Sequence, residues 1–330
     1  MRQHVVGIES TAHTFSASVV SSDGEILSNA KHVYVPPGGS GIHPFEASKS
    51  HMEAAPAVVG KAMKESGIGR KEVSAVCYSM GPGLGPCLRV GAVVARTLAA
   101  SLAKPLVPVN HAVGHVELGC LLTRTSDPVV LLVSGGHSMV LAYSTGRWRV
   151  LGETLDLTLG QLLDQFGRHF GLSSPCGRSI EQAASKSSNY LPLPYSVKGN
   201  DVSLSGMLTE AKRLLDGGSS FEDVCFSMQE TAFAMIVEVT ERALAFTGKG
   251  ELMIVGGVAA NRRLSQMLTA MAARHSARFG SVPLEYSGDC GAQIAWTGYL
   301  AFKSGVRVPL AESTVLQSWR LDSVDIPWRS

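Results

Sequence analysis

His4-Val5-Val6-Gly7-Ile8-Glu9-Ser10, then Ser16-Ala17-Ser18-Val19-Val20, then Asp23-Gly24 and Glu25-Ile26-Leu27, read as strand, turn, strand, tight turn, strand. The Asp-Gly pair is a strong hairpin signal, because both residue types accept positive φ at little steric cost. Residues 129 to 152 repeat the outline. Val129-Val130-Leu131-Leu132-Val133 leads into the turn Ser134-Gly135-Gly136-His137, followed by Met139-Val140-Leu141-Ala142-Tyr143, Thr145-Gly146 and a third strand. Internal duplication of this kind marks a fold with two pseudo-symmetric lobes.

A third glycine turn lies in Leu252-Met253-Ile254-Val255-Gly256-Gly257-Val258-Ala259-Ala260-Asn261, an apolar strand that runs into a helix. Such turns let backbone N–H groups approach a phosphate, and the helix N-terminus adds a favourable field. Taken singly, each glycine needs only to serve a tight turn. The ordered set of three points to the actin, Hsp70 and sugar-kinase superfold, an α/β fold that holds a nucleotide between its lobes. Helical apolar spacing at 48 to 67, 90 to 103, 226 to 246 and 264 to 276 alternates with the strands, as α/β lobes require. The Ser-, Pro- and Asn-rich stretch 185 to 201 reads as an irregular excursion.

The chain has 330 residues, 45% of them hydrophobic and only 17% charged, enough for two ordinary cores. A net charge of +2 offers no electrostatic case for a dedicated nucleic-acid binder, so any RNA contact needs a local patch or a partner. Cys77, Cys87, Cys120, Cys176, Cys225 and Cys290 form no C-x-x-C pair, which argues against a disulfide framework or thiolate zinc site and for a reducing cytosol. The apolar stretch 90 to 109 is broken by Arg96, Lys104 and two prolines, and neither a membrane span nor a signal peptide is expected.

Three groups of residues can carry chemistry. In Asn110-His111-Ala112-Val113-Gly114-His115 the imidazoles are four apart, so on a helix they share a face and can grip one ion; they can equally pack a helix start. Ala112 stands where a zincin needs its glutamate, which excludes that protease signature. Asp289, in a polar turn before a helix, is ordinarily an N-cap; as a ligand it would complete a two-histidine, one-carboxylate set with open positions. Asp164 and Glu181 are either solvated helix charges or acceptors for ribose hydroxyls. The loop Met80-Gly81-Pro82-Gly83-Leu84-Gly85-Pro86 suits an anion-facing turn or plain punctuation, and lacks the Lys-Ser/Thr ending of a P-loop.

As a set these motifs resemble the universal Kae/TsaD family, formerly called Gcp. The likeness rests on Ile8-Glu9-Ser10-Thr11-Ala12-His13-Thr14, Gly41-Ile42-His43-Pro44, Gly81 to Gly91, the His111/His115 pair, Val133-Ser134-Gly135-Gly136-His137, Gln229-Glu230-Thr231-Ala232-Phe233-Ala234 and Gly256-Gly257-Val258-Ala259-Ala260-Asn261. The resemblance implies transfer of threonylcarbamoyl from threonylcarbamoyl-AMP to the exocyclic amine of the adenosine 3′ to the anticodon in tRNAs reading ANN codons. It also implies an iron or zinc ion on His111, His115 and Asp289. The adenylate, or ATP, would lie on Leu132, Val133, Ser134, Gly135 and Gly136, with Asp164, Gly177, Glu181 and Asn261 on ribose and base and the Gly256-Gly257 turn beside them. The first turn and the ending Ser318-Trp319-Arg320-Leu321 look like the archaeal and eukaryotic branch. That branch works in a cytoplasmic KEOPS complex with a Bud-type kinase, a Pcc-type dimerisation subunit and a Cgi-type regulator.

Two departures stand out. Leu132 occupies the position where archaeal relatives carry a tyrosine metal ligand, so water, Ser134 or substrate oxygen is left for the fourth place. Phe45 replaces an arginine of the usual Gly-Ile-His-Pro-Arg-Glu string. His13 and Glu9, with Asp164, are the candidates for a general base. Residues 1–127 plus 295–330 are expected to form the N-terminal lobe and 128–294 the C-terminal lobe, which would place Asp289 across the cleft from the histidines. The rival reading is a non-catalytic ATP-dependent scaffold of the Hsp70/actin type, which needs no transition-metal site.

Overall fold

The structure, a computed structural model, describes residues 2–37 and 40–329; Met1 and Ser330, the outer limits of the expected N-terminal lobe, lie outside it. The chain runs β1 (His4–Glu9), β2 (Thr14–Ser21), β3 (Ile26–Val33), α1 (Pro44–Ser66), β4 (Val73–Gly81), α2 (Gly85–Leu102), β5 (Leu106–Asn110) and α3 (His111–Thr123). It continues through β6 (Val129–Val133), β7 (Ser138–Ser144), β8 (Arg147–Glu153), α4 (Leu159–His169), α5 (Gly177–Ala184), β9 (Val197–Lys198), β10 (Asp201–Val202), α6 (Ser205–Asp216) and α7 (Phe221–Thr247). Last come β11 (Glu251–Val255), α8 (Arg262–Arg274), β12 (Arg278–Ser281), α9 (Leu284–Ser287) and α10 (Gly291–Lys303).

The duplication is plain in the strand orders. One sheet runs β3-β2-β1-β4-β5 and the other β8-β7-β6-β11-β12, so each joins an antiparallel hairpin unit to parallel strands on its first strand's other side. Every residue of β1, β2 and β6 is buried, because both faces of these strands are covered; the buried Ser16 and Ser18 hydroxyls of β2 are satisfied by Ala30 O and Asn29 Oδ1. Along β1, Val6 and Ile8 join the core under α1 and α2, while Val5 faces α10. Along β6, Val129, Leu131 and Val133 face the α4–α8 layer, and Val130 and Leu132 face α3. The predicted helices are present with longer starts, each explained by a cap or an early proline. Asn261 caps α8, Ser220 caps α7, and Pro44 and Pro86 sit in the first turns of α1 and α2.

The boundary expected at 294/295 falls inside α10, and the structure moves it. α10 lies flat on the first sheet: a Cβ on Gly291 would meet Ser18 of β2, one on Gly7 would meet the Ala295 backbone, and one on Gly298 would meet Cys77 of β4. This line of small residues lets helix and sheet backbones touch, so the helix and the turn before it belong with residues 4–110. The tail also departs from the expectation. Residues 306–318 stay on the first sheet, with Val308 N donating to Leu106 O and Leu316 N to Met80 O. Beyond them Leu321 and Ile326 join the core under β6–β8, and Ile326 N donates to Gly146 O. The tail therefore straps both halves.

Candidate metal centre and nucleotide cleft

α3 starts where β5 ends, and Asn110 caps it by accepting from Ala112 N at 3.0 Å and Val113 N at 3.1 Å. His111 is thus the first helical residue, and His115 lies one turn on along the same face. Asp289 approaches from the turn before α10. Its Oδ1 is 3.5 Å from His111 Nε2 and 3.3 Å from His115 Nε2, and the three candidate ligand atoms all lie within 4.8 Å of one another. The ordinary N-cap reading of Asp289 fails: Cys290 holds the cap position without a side-chain bond, and Ser16 Oγ accepts from Gly291 N instead.

Behind His111 stands Glu9, fully buried, with Oε2 at 2.9 Å from His111 Nδ1 and Oε1 accepting from Thr11 N at 2.6 Å. Gln293 Nε2 also lies 3.1 Å from that Nδ1. This orients the ring so that Nε2 faces the cluster, the arrangement in which an outer carboxylate fixes a metal-binding imidazole. It also removes Glu9 from the candidate bases, since no face of it opens to the cleft. Burial opposes charge on His111, but Glu9 and Asp289 outweigh it and raise its pKa to about 9. For Asp289 burial is likewise outweighed, by His111 and His115, and its carboxyl is held well below the usual range. Burial lowers His115. Two carboxylates converging on a pair of neighbouring, buried imidazoles are what a divalent cation with N and O preference would balance.

His111 and Asp289 open on a cavity of about 1700 Å³ between the two sheets, whereas His115, buried, is not part of its lining. His111, Asp289 and His13 line it together with Ser134, Gly135, Gly136, Asp164, Gly177, Glu181, Gly257 and Asn261. Leu132, Val133 and Gly256 do not. The Leu132 and Val133 side chains are fully buried on opposite faces of β6, and Gly256 (φ 95°) lies so close to β6 that a Cβ would sit 2.3 Å from Val133 O. These three support the turns and do not face the cavity.

The polar lining is held by local bonds. Asp164 accepts from Ser174 Oγ and Cys176 N, both at 2.7 Å. Glu181 accepts from Arg262 N at 2.7 Å, and Asn261 both caps α8 through Leu264 N and donates to Gln229 Oε1 at 3.1 Å. In the 134–136 turn, Ser134 Oγ accepts from Gly136 N and His137 N, whereas Gly135 N meets no acceptor among the described residues. α4 abuts this turn through Thr158 Oγ1 on Gly135 O, so its capped N-terminus adds an anion-favouring field. That helix end, and Arg168, Arg178, Arg262 and His137 on the cavity wall, escaped the reading of the sequence. His137 alone carried a visible sign, as part of the Ser-Gly-Gly-His turn.

The duplicated-hairpin α/β body, with its two matching sheets facing one cavity, has the architecture of the actin-like ATPase superfold. Solved structures share that body: HypF of T. kodakarensis aligns with TM-score 0.66 over 92% of this chain and 48% of its own, at 14% identity, a likeness of fold alone. Residues 24–296 match the TsaD family model, tRNA N6-adenosine threonylcarbamoyltransferase, and the chain belongs to that family. The protein of that name from Thermofilum pendens is 53% identical over 99% of this chain and 97% of its own length. A "probable bifunctional tRNA threonylcarbamoyladenosine biosynthesis protein" of Methanothermobacter thermautotrophicus is 50% identical over 98% of this chain, which spans 60% of it. The chain is accordingly a transferase, and the scaffold alternative falls away. Among the described residues no helix is long and apolar enough to cross a membrane.

Proposed function

We propose that this protein transfers threonylcarbamoyl from threonylcarbamoyl-AMP to N6 of the adenosine 3′ to the anticodon in tRNAs reading ANN codons, in the cytoplasm. The observation that carries the reading is that His111 and Asp289 line the same cavity as Gly135 and Asn261. The cavity exceeds the roughly 300–1,000 Å³ of a single small-ligand pocket, leaving room for an adenylate and an incoming adenosine. His111, His115 and Asp289 would hold one iron or zinc ion. When bound, such an ion polarises a carbonyl or phosphoryl oxygen.

The chain's own groups do the rest. Gly135 N–H and the α4 N-terminus receive the adenylate phosphate; Asp164, Gly177, Glu181 and Asn261 surround ribose and base. The adenosine amine attacks the carbamoyl carbon, its bond to the AMP oxygen breaks, AMP leaves, and the amine gives up a proton. We assign that proton to His13, which lines the cavity. We further propose association with a Bud-type kinase, a Pcc-type dimerisation subunit and a Cgi-type regulator in a KEOPS-type complex; the bifunctional relative supports coupling to a second activity.

Purified protein with pre-made threonylcarbamoyl-AMP and unmodified tRNA, with and without those partners, tests the reading by nucleoside mass spectrometry. Threonylcarbamoyladenosine at the position after the anticodon is the expected product. Its absence even with the partners would refute the assignment.

A further inference from the structure

The donor set of the metal centre contains one carboxylate and two imidazoles on α3 and the turn before α10, and β6 adds nothing to it. The Leu132 side chain is fully buried in the apolar layer against α3. Ser134 Oγ is committed to the turn, accepting from Gly136 N at 3.2 Å and His137 N at 3.0 Å.

The next residue with a donor atom is His137. Its backbone is pinned, N to Ser134 Oγ and O to Ser134 N at 2.7 Å, so the ring has a defined origin. That ring stacks toward His111 with centroids 6.2 Å apart and planes 29° from parallel. Its Nδ1 is buried and has no hydrogen-bond partner, an arrangement proteins avoid unless something else engages the atom. His137 also lines a smaller cavity of about 190 Å³ formed with Pro82 and residues 318–321. Two imidazoles bound to one tetrahedral ion at about 2.0–2.1 Å place their centroids about 5 Å apart. The His111–His115 pair, at 4.7 Å, meets that spacing; the His137 ring, 6.2 Å from His111 and outside the group whose ligand atoms lie within 4.8 Å of one another, must swing about 1 Å closer to reach the ion.

We propose that His137 supplies a third imidazole to the ion held by His111, His115 and Asp289, providing from the 134–137 turn the donor that Leu132 cannot. This rests on the metal-centre reading above. The second half of the molecule then contributes a ligand, and the ion joins the phosphate-facing turn to α3.

X-ray absorption on the full-length protein loaded with zinc counts the imidazoles, and chelator competition gives the affinity. The expected wild-type count is three, falling to two in His137→Ala with affinity weaker by about 10- to 100-fold. A wild-type count of two overturns the proposal with no variant needed, as does an unchanged affinity in folded His137→Ala and His137→Gln. Failure of the metal centre itself looks different: the wild type would bind no zinc, or His111→Ala would keep full affinity.

Discussion

Glu9 and Asn261 show how single side chains acquire roles that their neighbours in sequence do not announce. Glu9 holds His111 Nδ1 from behind, so Glu9→Gln should weaken metal binding by about 10-fold while His111→Ala and Asp289→Ala abolish it. Chelator competition on the three variants measures this; wild-type affinity in Glu9→Gln would mean that the carboxylate does not position the ring. Asn261 carries two functions at once, capping α8 and lining the cleft. Asn261→Ala should therefore cost about 1 kcal/mol of stability through the cap, and Asn261→Ser, which keeps the cap but loses the bond to Gln229, should cost less. Both should weaken adenylate binding, which calorimetry separates from the denaturation midpoint.

Among the elements, α6 has its N-terminus held from a distance by a single carboxylate. Leu204 at its cap position makes no side-chain bond. Instead Asp156 accepts from Leu204 N at 2.8 Å, Ser205 N at 3.0 Å and Ser205 Oγ at 2.6 Å. Desolvation pushes the Asp156 pKa up, but these bonds outweigh it and the net direction is down. A carboxyl lowered by folding stabilises fully above its unfolded pKa, near 3.9, and loses that contribution as pH falls through the folded value. The stability gap between wild type and Asp156→Asn should therefore be constant from about pH 5 to 8 and shrink below about pH 4. Urea unfolding at pH 7, 4 and 3 reads it; a gap that widens in acid would contradict the assignment. The same logic of remote support applies to α10, whose Gly291, Ala295 and Gly298 fit it against β2, β1 and β4.

At the scale of the molecule, the cluster joins α3 to the turn before α10, and these two helices pack against each other. A Cβ on Gly114 of α3 would already touch Gln293 of α10 at 3.3 Å. The tail adds a second tie: Arg329, over the Trp148 ring, forms a bidentate pair with buried Glu117, which also accepts from Trp148 Nε1 at 2.9 Å. Arg329→Ala leaves that carboxylate buried with less compensation and should cost about 3–5 kcal/mol. Thermal unfolding measures the loss, and Glu117→Gln in the same chain should restore part of it. No recovery in the double variant would show that packing of Arg329 against Trp148 dominates.

The sequence by itself determined the two-lobed α/β architecture, since hairpin signals and strand–helix alternation are local and repeat in order. It also marked His111 and His115, because four residues on a helix is one turn. Asp289 is different: spacing alone favoured a cap, and the family resemblance put it with the histidines. Only the tertiary structure decided which half carries Asp289, because the small-residue stripe of α10 means nothing until Gly7 and Cys77 face it. The same holds for Glu9, Arg329 and His137, whose partners lie 102, 212 and 26 residues away. Contacts of that kind are created by packing two sheets and their helices together, and no period along the chain encodes them.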